Sequence, residues 1–305
     1  MFRSVMRVLF ATLLLGLVGT LPLQAADDAV LKPFVLGNTP TGNMEQVVAE
    51  VKGALKAQGF EEAGSYSPYP GATIVVVTSP ELKAAAAKSE HGGFGAIQRV
   101  AVTDVRGKLQ VSYTNPVYMA NAYRMAEDLK DVSAKLEAAL GRKEEFGAKG
   151  LTAQKLRKYH YMFGMEYFTD PSVLAEYGSY DEAVKAVESG LAAGRGGTSK
   201  VYRVDIPGKQ ETLFGVGLKA AGDKDKAMDD KYIMSEIDFR DTKSTAHLPY
   251  EMLVDGNKVY ALYARFRIAI DFPDLSMMGS NSFMNIMSSP EAIRKALVQA
   301  AGGKP

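Results

Sequence analysis

Between Asn43 and Gly59 the apolar residues Val48, Val51 and Leu55 fall on one face of a 3.6-residue period. Asn43 stands where a cap is needed, Gln46 follows three residues later, and Gly59 supplies a stop. The pattern returns between Ser179 and Gly194. Ser179 and Glu182 have capping-box spacing, Val184, Val187 and Leu191 make the stripe, and Gly194 lies at the end. Each stripe position of the second segment is displaced from its counterpart by one constant offset. Ala72–Thr78 carries the unbroken β-branched run Ile74, Val75, Val76 and Val77, which predicts a central strand. Ser79-Pro80-Glu81 then opens a short alanine-rich helix.

Two hairpins follow the same plan. Val100–Val105 and Leu109–Tyr113 flank a turn at Arg106-Gly107 and end at Pro116. Met252–Val254 and Val259–Ile270 flank Asp255-Gly256-Asn257 and end at Pro273, with Arg265 and Arg267 projecting from one strand face. A closing helix is expected after each proline: Leu136, Ala139 and Leu140 in one, Ile293, Ala296 and Leu297 in the other. The offset between halves grows along the chain. The extra residues are placed around Gly222–Ala246 and in a longer second hairpin arm. The expectation is an α+β chain of two tandem similar units, each an antiparallel sheet with helices on one face.

The chain's start adds a compartment. Arg3 and Arg7 precede the apolar run Val8–Val18, and Leu23-Gln24-Ala25 ends in a small residue. These read as a secretory signal peptide over 1–25, since the run is shorter than the ~20 apolar residues a bilayer span needs. The remaining expected divisions are a first unit at 26–145, an aromatic-rich connecting segment at 146–178 and a second unit at 179–305. The mature protein is expected to be soluble, periplasmic or secreted, with no membrane insertion after cleavage.

The stretch "ATIVVVTSPELKAAAAKSEHGGFGAIQRVAVTDVRGKLQVSYTNPVYMANAYRM", preceded by "MEQVVAEVKGALKAQGF", resembles the bacterial family known as domain of unknown function 302. "HLPYEMLVDGNKVYALYARFRIAIDFPDL" looks like a more divergent second copy. The resemblance implies β-α-β4-α order, related to the saddle of the TATA-binding protein. It brings no catalytic motif.

Composition narrows the chemistry. With no cysteine there is no disulfide, thiolate metal site or cysteine nucleophile. Only three histidines exist, His91, His160 and His247, so a triad or a three-histidine zinc site would use nearly all of them. Lysine plus arginine total 36 against 35 acids, too balanced to suggest nucleic acid as a partner. The "HGGFG" run at 91–95 lacks the strand-to-helix setting of a phosphate cradle and reads as a loop.

The connecting segment is rich in aromatics, unlike a solvated linker. Leu156, Tyr159, Phe163 and Tyr167 suggest a helical stripe docking the two units, with Phe163 a core position. His160, Tyr161, Arg265, Arg267 and His247 are the candidate ligand contacts. Met162 and Met165, with Met284 and Met287 of the later methionine cluster, are the candidate metal ligands, because thioethers suit copper(I). Copper(I) or haem are the cofactors those side chains would fit. On a helix His160 and Met162 lie about 200° apart and cannot share a metal, whereas on an extended chain they can. Two functions are therefore expected of this sequence. One is a non-catalytic binding protein holding a small ligand, cofactor or metal near the junction of its two units. The other is a protein–protein interaction or self-assembly module, a homodimer included. An enzyme ranks third, since no nucleophile–base pair is legible.

Overall fold

The computed structural model describes residues 29–304; the expected signal peptide lies outside them. Strands β1 (Val30–Leu31) and β2 (Phe34–Leu36) lead into helix α1 (Met44–Ala57). Its capping box is complete, with Asn43 and Gln46 each accepting the other's backbone N–H at 3.0 Å. The helix buries Val47, Val51 and Leu55 and leaves Val48 half-covered. There follow β3 (Glu61–Tyr66), β4 (Ala72–Thr78), α2 (Pro80–Ala87), β5 (Gln98–Val105) and β6 (Lys108–Thr114). Helices α3 (Pro116–Ala122) and α4 (Lys130–Leu140) and strand β7 (Glu144–Phe146) complete this half. The strands form one antiparallel sheet in the order β3-β4-β5-β6-β2-β7. As its composition predicts, β4 lies inside the sheet, with Ile74, Val75 and Val76 fully buried.

A two-residue strand, β8 (Leu151–Thr152), pairs with β1 and runs into the short helix α5 (Ala153–Arg157). Then come β9 (Ser172–Glu176), α6 (Tyr180–Ala192), β10 (Thr198–Asp205), β11 (Glu211–Leu218) and α7 (Asp230–Ile237). Strands β12 (Tyr250–Asp255) and β13 (Lys258–Ala261) and helices α8 (Ala264–Asp271) and α9 (Ser289–Ala300) finish the chain. The second sheet is also antiparallel, in the order β10-β11-β12-β13-β9. The molecule is thus α+β, with antiparallel sheets and packed helices.

Three local expectations are corrected. Residues 264–271 form helix α8, not a strand, so Arg265 and Arg267 do not share a face: Arg265 is partly exposed and Arg267 is fully buried. The alternation Arg265-Phe266-Arg267-Ile268 mimics a strand because nearly every side of this helix is covered, leaving no polar stripe to reveal its period. Pro273 does not open the closing helix. A methionine-rich loop intervenes, and Pro290 occupies the first turn of α9. The connecting segment is helical only as far as Arg157, and Gly164 turns the chain at φ +78°. Phe163 is consequently 99% exposed rather than a core residue.

The sheets meet through reciprocal contacts. The turn Gly92–Gly95 from the first half packs on β11 and β12, and the turn Thr245–His247 from the second packs on β5 and β6. Gly93 donates its N–H to the Glu211 carboxylate at 2.5 Å, and the Thr103 hydroxyl reaches that of Thr245 at 2.9 Å. The Tyr66 hydroxyl donates to Asp230 Oδ2 at 2.6 Å, and that of Tyr118 to the Ile270 carbonyl at 2.7 Å.

Candidate functional site

Three of the sequence candidates converge on one cleft. The loop after α5 supplies Tyr161 and Met165, α8 supplies Arg265, Ile268 and Ala269, and Phe272, Leu275 and Phe283 come from the methionine-rich stretch that follows. The cleft is narrow, with a cavity volume of ≈ 20 Å³, and its walls are largely apolar. Its one charged group, Arg265, is already committed: Nε and Nη2 lie 2.9 and 2.5 Å from the two carboxylate oxygens of Glu166. That bidentate pair raises the guanidinium's pKa, and the Tyr263 ring stacks 5.2 Å from it. The cleft therefore offers apolar surface with a neutralised polar rim.

The other candidates lie elsewhere. His160 is held outside the cleft, its Nδ1 2.8 Å from the Met162 carbonyl and its ring 4.5 Å from that of Tyr167. Met162 is exposed, as are Met284 and Met287 in their loop. Among the described residues no three of His, Asp and Glu converge in a way that could hold a metal ion.

His247 and Arg267 belong to a buried polar cluster between the halves. His247 Nδ1 lies 2.6 Å from Asp271 Oδ2, and its Nε2 lies 3.2 Å from the Tyr250 hydroxyl. Arg267 donates to Asp271 at 2.7 Å and to the His247 carbonyl at 2.7 Å. Its Nε sits 3.4 Å from Glu251, whose carboxylate also pairs with Arg99 of β5 and accepts from the Tyr202 hydroxyl at 3.3 Å. The order Tyr–His–Asp has the form of an acid–base relay, but all three groups are buried. Burial lowers the His247 pKa to about 4, overcoming the opposing pull of Asp271, so the ring is neutral near pH 7. For Asp271 burial works in the opposite direction and is outweighed by Arg267 and His247, which keep it ionised. In this closed setting the cluster works as an internal fastening.

Sequence reasoning missed Arg99 and Glu251. The available signal was a charge inside each of two strand-like apolar runs, "QRVAV" and "YEMLV". It also undervalued "HGGFG". His91 Nδ1 lies 3.0 Å from Asp255 of the other half, with its ring 4.9 Å from that of Tyr260. A Cβ on Gly92 would come within 2.0 Å of the Ala86 carbonyl oxygen, so the doublet records close packing rather than slack.

No protein-family model matches the chain, and neither a curated protein nor a solved structure matches it.

Proposed function

We propose that the protein is an exported, non-catalytic binding protein that holds a small apolar ligand in the cleft of Tyr161, Met165, Ile268 and Phe283. One observation carries this reading: an apolar recess whose single charge is neutralised by Glu166 favours an uncharged ligand over an anion. With a cavity volume of ≈ 20 Å³ the recess takes one apolar group of a ligand whose remainder lies across its mouth. Met165 is the thioether at this wall, so copper(I) would enter here in preference to zinc.

The same proposal takes the chain as a tandem duplication in the resembled family. Support comes from the matching strand orders, β3-β4-β5-β6-β2 and β10-β11-β12-β13-β9, and from a helix after each hairpin, α3 and α8. On that pairing the extra residues of the second half fall between β11 and β12 and in the methionine-rich loop that helps form the cleft.

Export is tested by the mass of the secreted chain, where a retained Met1 counts against it. Binding is tested with the neutral fluorophore N-phenyl-1-naphthylamine and with copper(I). The expected result is saturable probe binding that Ala269→Phe abolishes by filling the cleft, with thermal stability maintained. Equal binding by the filled variant would overturn the site.

A second reading has its own observation. Phe163, Met278, Met284 and Met287 are at least half exposed, apolar side chains of the kind a protein partner would cover. Sedimentation showing a dimer that Phe163→Ser disperses would favour it.

A further inference from the structure

A second cleft, sharing no residue with the first, has a volume of ≈ 330 Å³ beside α9. Three elements each bring it a lysine: Lys219 just after β11, Lys224 from the turn Asp223–Met228, and Lys295 from α9. All three are exposed, and none forms an ion pair among the described residues.

Three neighbouring carboxylates are spent on other groups, and Asp223, beside Lys224 in the turn, is not. Asp229 accepts from the backbone N–H groups of Ala220 and Tyr232, Asp230 from Tyr66 and the Leu218 N–H, and Glu291 from Arg294. Asp225 is the one acid on the wall, leaving an excess of two positive charges. The floor is made of small residues. Gly196 and Gly197 turn in the left-handed region at φ +68° and +72°, and a Cβ on either would lie 2.6 Å from a backbone oxygen, of Ala296 or Lys219. Ala220, Ala292 and Ala296 keep the remaining floor low, so lysines surround an open recess.

We infer that this cleft binds a small polyanion, a phosphate monoester or a di- or tricarboxylate, whose charged oxygens are held by Lys219, Lys224 and Lys295. Three lysines against the single acid Asp225 leave two positive charges unbalanced on this wall, which gain Coulomb energy from an incoming anion, a gain screened by salt. A free phosphate ester and a carboxylic acid share the chemistry, and the probes separate them.

The test is calorimetric titration of the full chain at low ionic strength with citrate, glycerol 3-phosphate and neutral glycerol. Expected is binding of at least one anion and none of glycerol. Lys219→Gln and Lys295→Gln should each weaken it by about three- to tenfold, and added sodium chloride should weaken it further. Asp225→Asn should strengthen binding, a gain that damage to the fold would not give. No heat with either anion at concentrations on the order of 10 mM would overturn the inference. So would affinity unchanged in both lysine variants, or binding of heparin alone, which would mark a macromolecular polyanion site.

Discussion

Arg99 and Glu251, 152 residues apart in the chain, meet side chain to side chain with both groups almost wholly buried. Arg99 belongs to β5 and Glu251 to β12, so this ion pair ties one sheet to the other. Glu251 also faces Arg267 and Tyr202, which makes it the shared anion of two guanidinium groups. Removing it strands buried Arg99, while Arg267 keeps Asp271; removing Arg99 leaves Glu251 its other partners. Glu251→Ala should therefore cost about 3–5 kcal/mol, and Arg99→Met less. The double variant Arg99→Met/Glu251→Leu should recover part of the loss, because an apolar pair leaves fewer charges unmatched. Urea unfolding of the set checks this; strictly additive losses would contradict a coupled pair.

His91 and His247 have pKa values shifted in opposite directions. His247 is held near 4 by burial, so the folded state resists protonation while the unfolded chain accepts a proton near 6.5. Its contribution to stability is therefore present above pH 6.5 and lost as pH falls toward 4. His91 is raised, first by its hydrogen bond to Asp255. Its contribution is full below the unfolded value and lost as pH rises through the folded one. A proton–nitrogen NMR titration should show His91 ionising above 6.5 and His247 unchanged until near pH 4. A His247 midpoint above 6 would mean that the cluster admits water.

Asp230 behaves in the opposite sense from an ordinary carboxylate. Burial raises its pKa to about 7, against hydrogen bonds from Tyr66 and the Leu218 N–H that lower it. The folded state holds this proton more tightly than the unfolded chain does. Its favourable contribution is full below about pH 4 and fades as pH rises to about 7. Asp230→Asn keeps an oxygen acceptor and removes the ionisation. Relative to the parent, the variant should gain stability between pH 5 and pH 8, by a few kcal/mol at most. Denaturant curves at the two pH values test this, and a pH-independent difference would refute it.

How far the sequence could be read follows from how regular each face is. Helices α1 and α6 were legible because each presents one apolar stripe and a polar cap. Strand β4 was legible because it is buried on both faces, which calls for an unbroken β-branched run. Helix α8 was not, since a helix covered all round carries no stripe and its two arginines imitate strand alternation. The site suffered from the same limit. Tyr161, Met165 and Arg265 could be named by residue type, but their meeting depends on α8 and on the loop path past Gly164. The buried charge cluster depends on pairing across two sheets, and no local period encodes that.

The connecting segment gives the sharpest contrast between two phenylalanines five positions apart. Phe163 stands 99% exposed at its loop, while Phe168 is 3% exposed. The Phe168 ring lies 5.5 Å from that of Tyr123, 6.3 Å from that of Phe94 and 6.4 Å from that of Phe266. Phe94 and Tyr123 come from the first half and Phe266 from α8, so Phe168 is the aromatic that pins the segment between them. Phe168→Ala should open a cavity and cost about 3–5 kcal/mol, whereas Phe163→Ala should change stability by less than about 0.5 kcal/mol. Limited proteolysis sharpens the test. Cleavage near Phe163 should be available in the folded protein, and cleavage near Phe168 should appear only in the Phe168→Ala variant. Equal stability losses for the two substitutions would mean that the loop around Phe163 packs against the protein in solution.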